Sequence, residues 1–300
     1  MRAVVMHQTG GPEVLQLEDV PAPEPADGQV LIRVRAASVN PADWKSRRGT
    51  RPRQLPTILG SDVSGSIELS RAEDLSEGDD VFGFAASGGY AQYATAEPSG
   101  IANKPARLSH EQAAALPVAG LTAWQSLFDR AGLEHGQTAL IAGAAGGVGH
   151  LAVQFAKHAG ARAIGTGSSR NRDFVMGLGA DEYVDYTRQD IREAVSGVDV
   201  AFDTVGGETT ESLLAVLLEG GILVTIAAAP PEDAARERGV RAELSIMKRN
   251  SEQLARIAGL AAAGEVRVEL SDVLPLPEVR LAHEQSESGH TRGKIVLVVD

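Results

Sequence analysis

The sequence predicts an α/β protein that combines a doubly wound parallel sheet with a β-rich segment. Between residues 138 and 246, short apolar runs typical of buried strands alternate with segments of helical period. The first of these runs ends in a glycine-rich turn that leads directly into a helix. Residues 1–100 contain instead short strand-like runs separated by glycine and proline. The chain therefore predicts two structural parts with different strand patterns.

The strands of the first part are expected at Arg2–Met6, Leu15–Val20 and Val30–Ala37, and then at Val81–Phe84 and Tyr90–Ala94. In the third of these runs, apolar side chains stand at every second position, which predicts one buried face. A three-hundred-residue chain suggests one large or two ordinary domains.

Helix-start signals mark two places in the first half of the chain. Asn40 is suited to cap a short helix that begins with Pro41. Ser109, with Gln112 three residues later, has the pattern of a capping box. A long alanine-rich helical stretch follows as far as residue 128, and Pro117 should kink or divide it.

The second part predicts an alternation of strands and helices. The strands are expected at residues 138–142, 162–166, 182–184, 198–202, 221–226 and 240–246. The polar segment Pro230–Arg238 predicts a loop, which is either a mobile lid or a plain surface loop. Asn250–Ala263 predicts an amphipathic helix. The tail from residue 266 returns to strand, helix and strand, and we expect it to rejoin the β-rich segment because it is too small to fold alone.

Composition narrows the possible partners. The net charge of −12 argues against nucleic acid or an anionic membrane as the main partner. The chain has no cysteine, which excludes disulfides and thiolate zinc sites and fits a reducing compartment. The first fifteen residues alternate like a strand, so we expect no signal peptide and a cytoplasmic location.

The glycine turn predicts a dinucleotide site. A side chain at Gly146 or Gly147 would keep a pyrophosphate away from the backbone, and one at Gly149 would push the helix off the sheet. The N–H groups at the helix start, around Val148, would then face the phosphates. Ala144 stands where the first glycine of the usual motif would be, and an ordinary tight turn is the alternative interpretation.

The end of the second strand of this unit indicates which dinucleotide is bound. An NAD site requires Asp or Glu there, whereas this chain has Gly167-Ser168-Ser169-Arg170-Asn171-Arg172. Two hydroxyls and two guanidiniums suit the 2′-phosphate of NADPH, because an acid would repel it and arginine can bind it. In the alternative interpretation, the two arginines are solvated residues in the first turn of the next helix.

Six stretches resemble the zinc-free branch of the medium-chain dehydrogenase/reductases, the zeta-crystallin-like quinone oxidoreductases. They are SVNPADWK (38–45), GSDVSG (60–65), LPVAGLTAW (116–124), AGAAGGVG (142–149), LGADEYVDY (178–186) and FDTVGG (202–207). The resemblance implies a GroES-like catalytic domain at residues 1–110 and 265–300. It also implies a Rossmann NADP-binding domain at residues 111–264, and a homodimer that pairs the edge strands at 240–246.

The resemblance also assigns roles to residues. Asn40 would lie by the nicotinamide and the substrate oxygen, and Thr122 would lie against the nicotinamide. The remaining cofactor-binding residues would be Gly146, Gly147, Val148, Gly149, Ser168, Ser169, Arg170, Tyr186, Asp203, Thr204, Val205, Thr225, Ile226 and Ala227. Lys45 replaces a tyrosine found near the substrate in some relatives. It is interpreted either as a donor to the substrate oxygen or as a surface lysine of a short helix.

The zinc-dependent relatives place a cysteine ligand where Asn40–Asp43 lies and a His-Glu pair near Gly60–Asp62, and this sequence has neither. Its seven histidines show no ligand spacing, so we expect no metal. Three functions stay open. The protein is an NADPH-dependent reductase of quinones, a reductase of α,β-unsaturated aldehydes and ketones, or a weakly catalytic NADPH-binding sensor or structural protein.

Overall fold

The computed structural model describes all 300 residues, which form two compact units. The β-rich unit comprises Met1–Leu121, Arg249–Gly264 and Val268–Asp300. The parallel-sheet unit comprises Thr122–Lys248 and Glu265–Arg267. None of the helices is both long and apolar enough to cross a lipid bilayer.

Sixteen strands follow one another along the chain. They are β1 (Arg2–Met6), β2 (Leu15–Asp19), β3 (Val30–Val39), β4 (Thr57–Ile58), β5 (Asp62–Ser70), β6 (Asp80–Phe84), β7 (Tyr93–Ala96), β8 (Ile101–Asn103), β9 (Thr138–Ala142), β10 (Arg162–Gly167), β11 (Glu182–Asp185), β12 (Val198–Asp203), β13 (Leu217–Thr225), β14 (Arg241–Leu244), β15 (Leu270–Pro275) and β16 (Lys294–Val298).

Ten α-helices are interspersed among the strands. They are α1 (Pro41–Arg47), α2 (His110–Ala114), α3 (Pro117–Trp124), α4 (Gly149–His158), α5 (Arg172–Gly177), α6 (Ile191–Ala194), α7 (Glu208–Ala215), α8 (Glu232–Glu237), α9 (Ser251–Ala263) and α10 (Val279–Glu287). A π-helical segment, Gln125–Arg130, continues α3.

The β-rich unit contains two sheets. A three-stranded sheet has the order β2-β1-β4, and a seven-stranded sheet has the order β15-β16-β3-β5-β6-β8, with β7 paired to β3. The predicted alternation in β3 is confirmed, because Val30, Ile32, Val34 and Ala36 are all buried. The tail joins this unit as expected, since β16 pairs antiparallel with β3.

The parallel-sheet unit contains one six-stranded sheet, of order β11-β10-β9-β12-β13-β14, whose neighbouring strands are all parallel. The order of strands reverses between β9 and β12, which is the arrangement of a doubly wound fold. All six strands lie close to their predicted positions.

Helix starts also follow the sequence signals. Asn40 precedes α1 with Pro41 in its first position, and Ser109 and Gln112 form the predicted capping box of α2. The helical stretch is divided before Pro117, as predicted.

Three expectations differ from the structure. The prediction that the polar segment Pro230–Arg238 forms a loop is wrong, because Glu232–Glu237 forms α8. This helix has acidic residues in its first turn and good helix formers after them. The strand expected at Tyr90–Ala94 is shifted to Tyr93–Ala96. The boundary expected at residue 110 differs from that of the compact units, because the β-rich unit continues to Leu121 and also contains α9, which packs against β8.

Candidate active site

The glycine turn lies between β9 and α4, at the carboxyl end of a central strand. A Cβ atom on Gly149 would lie 2.1 Å from the carbonyl oxygen of Gly143, so only glycine permits this close packing of the helix start. Gly143 itself has a φ of +68°, a conformation that favours glycine. These contacts agree with the expectation that a side chain at position 149 would displace the helix.

The backbone N–H groups of Gly147, Val148 and Gly149 make no hydrogen bond within the protein. They stand at the N-terminus of α4, a ten-residue helix whose dipole favours negative charge there. Unpaired N–H groups at a helix N-terminus are suited to bind phosphate oxygens. The turn therefore fits the pyrophosphate of a dinucleotide.

Two further groups of predicted residues lie at the carboxyl ends of β12 and β13. Asp203 ends β12, and its carboxylate accepts hydrogen bonds from the N–H groups of Val205 and Gly206, both at 2.9 Å, and from the Thr210 hydroxyl at 2.6 Å. Asp203 thus shapes its own turn. The Thr204 hydroxyl donates to the carbonyl oxygen of Ala142 at 2.8 Å, which fastens this turn to the end of β9.

The residues that follow β13 adopt a similar turn. Ile226 N–H donates to the carbonyl oxygen of Asp203 at 3.0 Å, and Ala227 N–H donates to the Thr225 hydroxyl at 3.1 Å. Thr225 is buried. The structure thus gathers the predicted residues of the glycine turn, β12 and β13 at one edge of the parallel sheet, where doubly wound proteins bind their ligands.

The residues predicted for the 2′-phosphate lie beside the ends of β10 and β11. Ser168, Ser169 and Arg170 follow β10, and Tyr186 follows β11 with 59% of its surface exposed. Tyr186 N–H donates to the carbonyl oxygen of Gly167 at 3.2 Å, so both segments meet at one place. Asp185 also lies here, because the Ser169 hydroxyl donates a hydrogen bond to its carboxylate. The sequence interpretation did not include this acid.

A cluster of buried polar groups lies in the β-rich unit, at the start of α1. Asp43 accepts hydrogen bonds from the backbone N–H of Asn40 at 2.8 Å and from the Tyr90 hydroxyl at 3.0 Å, so its carboxylate caps the helix. The side chain of Asn40, only 2% exposed, donates through Nδ2 to Asp62 at 2.9 Å. The Ser38 hydroxyl donates to the same oxygen of Asp62, also at 2.9 Å.

Lys294 completes this cluster and was missed by the sequence analysis. Its ammonium group donates to the carbonyl oxygen of Val39 at 3.1 Å and to Oδ1 of Asn40. Burial lowers the pKa of Lys294, although the nearby Asp62 and Asp43 oppose this effect. Burial raises the pKa of Asp62 to about 6, opposed by the Lys294 charge and by the hydrogen bonds from Asn40 and Ser38.

The other two predicted catalytic residues are Lys45 on α1 and Thr122 on α3. Lys45 is exposed on α1, with its Nζ 5.6 Å from the centroid of the Trp44 ring. Thr122 is buried on α3 and belongs to the parallel-sheet unit. Within the β-rich unit, Lys45 does not join the buried cluster around Asn40.

Comparison with known proteins places these features in one family. Residues 26–106 match the model of the alcohol dehydrogenase GroES-like domain, and residues 178–297 match a model described as zinc-binding dehydrogenase. The chain is 34% identical over 325 residues to the quinone oxidoreductase of Mus musculus, covering 100% of this chain and 98% of the relative. The chain belongs to the zeta-crystallin-like family of medium-chain dehydrogenase/reductases.

Other members of the zeta-crystallin-like family are also similar. A chloroplastic NADPH-dependent alkenal/one oxidoreductase of Arabidopsis thaliana is 34% identical over 318 residues, covering 99% of this chain and 79% of the relative. The structure of the quinone oxidoreductase from Coxiella burnetii superposes with a TM-score of 0.95 at 38% identity, covering 100% of this chain and 99% of the other.

The description of the second family model raises the question of a zinc ion. The acids nearest to the expected ligand positions, Asp43 and Asp62, lie close enough to Lys294 for their charges to influence its pKa, and Asn40 Oδ1 accepts a hydrogen bond from the Lys294 ammonium. A lysine ammonium donates protons and has no lone pair for a metal. No group of three or more His, Cys, Asp or Glu side chains is placed to hold a metal ion. These residues do not fit a zinc site.

Proposed function

We propose that this protein is an NADPH-dependent oxidoreductase that reduces quinones without zinc. The observation that carries the proposal is the set of unpaired N–H groups of Gly147, Val148 and Gly149, in a chain that matches a quinone oxidoreductase along its whole length. When bound, NADPH supplies the hydride, and the protein binds and orients both reactants. The unpaired N–H groups at the start of α4 are suited to the negatively charged phosphates of this cofactor.

The residues at the ends of β10 and β11 would hold the 2′-phosphate. Ser168, Ser169, Arg170 and Tyr186 supply hydroxyl groups and a guanidinium, which are suited to a phosphate group. The turns that contain Asp203, Thr204, Val205, Thr225, Ile226 and Ala227 would line the rest of the cofactor site. The similarity of this chain to the NADPH-dependent relative from Arabidopsis thaliana supports the choice of cofactor.

Asn40 is proposed as the residue that donates a hydrogen bond to the substrate oxygen. A quinone that accepts a hydride builds negative charge on a carbonyl oxygen, and a fixed neutral N–H donor stabilises that charge. Thr122 is proposed to lie against the nicotinamide. Lys45 is proposed as a second donor that approaches the oxygen from the exposed face of α1, and water protonates the released hydroquinone anion.

Reduction of α,β-unsaturated aldehydes and ketones is a second candidate function. It is favoured by the 34% identity to the Arabidopsis alkenal/one oxidoreductase, which equals the identity to the mouse quinone oxidoreductase. Both substrate classes place a carbonyl oxygen where a donor such as Asn40 acts. The two functions therefore share the proposed role of Asn40 as a donor to the carbonyl oxygen and differ in the acceptor.

A homodimer and a cytoplasmic location are further parts of the proposal. Strand β14 lies at the edge of the parallel sheet, and the nearby Leu244 and Ile246 are 38% and 68% exposed. An exposed strand edge with apolar neighbours favours pairing with a second copy. Sedimentation that gives a monomer at micromolar concentration would remove the dimer from the proposal.

The test is the oxidation of NADPH, with NADH in parallel, against ortho-quinones, para-quinones and short enones, with and without a chelator. We expect turnover of quinones, a preference for NADPH and no effect of the chelator. Turnover of enones alone would favour the second candidate. Tight NADPH binding without any turnover would favour a sensing or structural protein, and inactivation that zinc reverses would contradict a zinc-free reaction.

A further inference from the structure

The side-chain amide of Asn40 is held between opposite charges. Its Oδ1 accepts a hydrogen bond from the ammonium of Lys294, and its Nδ2 donates to the carboxylate of Asp62 at 2.9 Å. A flipped amide would place Nδ2 against the ammonium and Oδ1 against the carboxylate, and both contacts would be repulsive. The two charged residues therefore fix which end of the amide faces which way.

Burial of the Lys294 and Asp62 charges is unfavourable in free energy, which argues for a functional role of these two residues. Lys294 is 4% exposed and Asp62 is 0% exposed, and removing such ions from water carries a large free-energy penalty even after relaxation. Asp43 is already engaged by Tyr90 and by the start of α1, so Asp62 is the acid in contact with the amide. Buried charges that orient a neighbouring polar group are a common feature of functional sites.

One N–H group of the Asn40 amide has no hydrogen-bond acceptor within the protein. An amide nitrogen carries two protons, and Asn40 Nδ2 has one acceptor within the protein, Asp62. The ammonium on Oδ1 withdraws electron density from the amide, and this makes the remaining N–H a better donor. The clamp thus supplies both an orientation and a polarisation for a single N–H group.

We propose that Lys294 and Asp62 are positioning residues that hold Asn40 so that its second Nδ2–H donates to the carbonyl oxygen of the acceptor. The inference rests on the proposed function, because it deepens the role given there to Asn40. Lys294 acts through the amide and does not touch the substrate. The acceptor class that this clamp serves is a carbonyl compound whose oxygen gains negative charge.

Four variants test the clamp by stopped-flow measurement of NADPH oxidation with a para-quinone: Lys294→Met, Asp62→Asn, Asn40→Ala and the double variant Asn40→Ala/Lys294→Met. We expect Lys294→Met to lower kcat roughly 10- to 100-fold, because the donor loses its orientation and polarisation. The dissociation constant for NADPH should stay unchanged. In the Asn40→Ala background, Lys294→Met should lower kcat no further, since it acts through the amide.

Lys104→Met is the matched control. Lys104 is a lysine of the same unit whose side chain is 6% exposed; it donates to the carbonyl oxygen of Leu108 at 3.0 Å and lies 3.7 Å from Asp80. A loss of kcat in Lys104→Met as large as that in Lys294→Met would contradict the proposal, and so would additive losses in the double variant. Wild-type kcat in a folded Lys294→Met variant would also overturn it.

A second measurement separates the clamp from the proposed function and does not depend on the folding of Lys294→Met. The Asn40 amide protons of the wild-type protein are observed by NMR, assigned by their loss in Asn40→Ala. NADP⁺ and a para-quinone, which exchange no hydride, are then added. We expect one of the two amide protons to shift while the other keeps its position. Absence of any shift, in a protein that turns over quinones, overturns the clamp alone; absence of turnover with every acceptor overturns the proposed function.

Discussion

The hydroxyl of Ser169 donates a hydrogen bond to the carboxylate of Asp185, across the ends of two neighbouring strands. The other oxygen of Asp185 accepts hydrogen bonds from the N–H of Thr187 at 3.0 Å and from its hydroxyl at 2.6 Å. The hydrogen bond from Ser169 has the largest effect and those from Thr187 add to it: together they lower the pKa of Asp185, so its carboxyl group is ionised at neutral pH. A negative charge therefore stands beside the residues proposed to bind the 2′-phosphate.

This charge leads to a prediction about cofactor preference. Asp185→Asn should strengthen NADPH binding several-fold and leave NADH binding almost unchanged, because it removes repulsion of the 2′-phosphate and replaces the charged acceptor of the Ser169 hydroxyl with a neutral, weaker one. Titration of cofactor fluorescence measures both affinities. Glu193→Gln, which removes a charge from the exposed face of α6, is the control. Equal strengthening for both cofactors would contradict the placement of the 2′-phosphate.

The guanidinium of Arg170 should contribute in the opposite sense. Arg170→Ala is expected to weaken NADPH binding by about 1.5–3 kcal/mol, as for the loss of a charged hydrogen bond, with little change for NADH. The same titration checks this value. Arg192→Ala is a control, since Arg192 donates to the Ser212 hydroxyl and pairs with Asp190. Equal losses for the two cofactors would contradict the assignment of Arg170.

Gly149 should tolerate no side chain. Gly149→Ala places a Cβ atom 2.1 Å from the carbonyl oxygen of Gly143, so we expect a loss of about 1–3 kcal/mol or more in the free energy of unfolding, together with weaker NADPH binding. Gly259→Ala is the matched control within an exposed part of α9, because its Cβ would meet nothing within 4 Å. It should stabilise the protein by about 0.5–1 kcal/mol. Urea unfolding measures both changes, and a stable Gly149→Ala variant that binds NADPH normally would contradict the role of this contact.

Local sequence patterns predicted most of the fold because they reflect local physics. The period-two pattern of β3 and the apolar runs of the parallel strands follow from burial on one or both faces. Pro117 and the Ser109–Gln112 pair act within one helical turn, so their effects could be inferred from a few residues. Segment α8 was missed because polar helix formers on a surface show no apolar period.

The site was less predictable, since its contacts are long-range. Lys294 reaches Asn40 because β16 pairs with β3, and these two residues are 254 positions apart in the chain. The only local signal is that Lys294 directly precedes the apolar run at residues 295–299. Asp185 reaches Ser169 through the register of β10 and β11, which pairs Gly167 with Asp185 and which periodicity does not specify.

His283 leads to a prediction about acid stability. The residue is fully buried on α10, neither ring nitrogen has a hydrogen-bond partner, and its ring packs edge-on against Tyr90 with centroids 5.8 Å apart. Burial, and then the charge of Arg47, lowers its pKa from 6.5 to about 3. Between these values the unfolded chain binds a proton that the folded protein excludes. The stability contributed by neutral His283 is therefore present above pH 6.5 and is lost as the pH falls towards 3.

His283→Leu should remove this acid sensitivity. At pH 7 we expect a free energy of unfolding close to that of the wild type, because the substitution breaks no hydrogen bond of the ring. Below pH 6.5 the variant should gain on the wild type by roughly 1.4 kcal/mol for each pH unit, until the folded histidine titrates. Asp62, whose pKa is raised to about 6, contributes with the opposite sign, and its effect cancels because both proteins contain it. Urea unfolding at pH 7, 6, 5 and 4 measures the difference, and two parallel stability curves would show that His283 titrates normally in the folded protein.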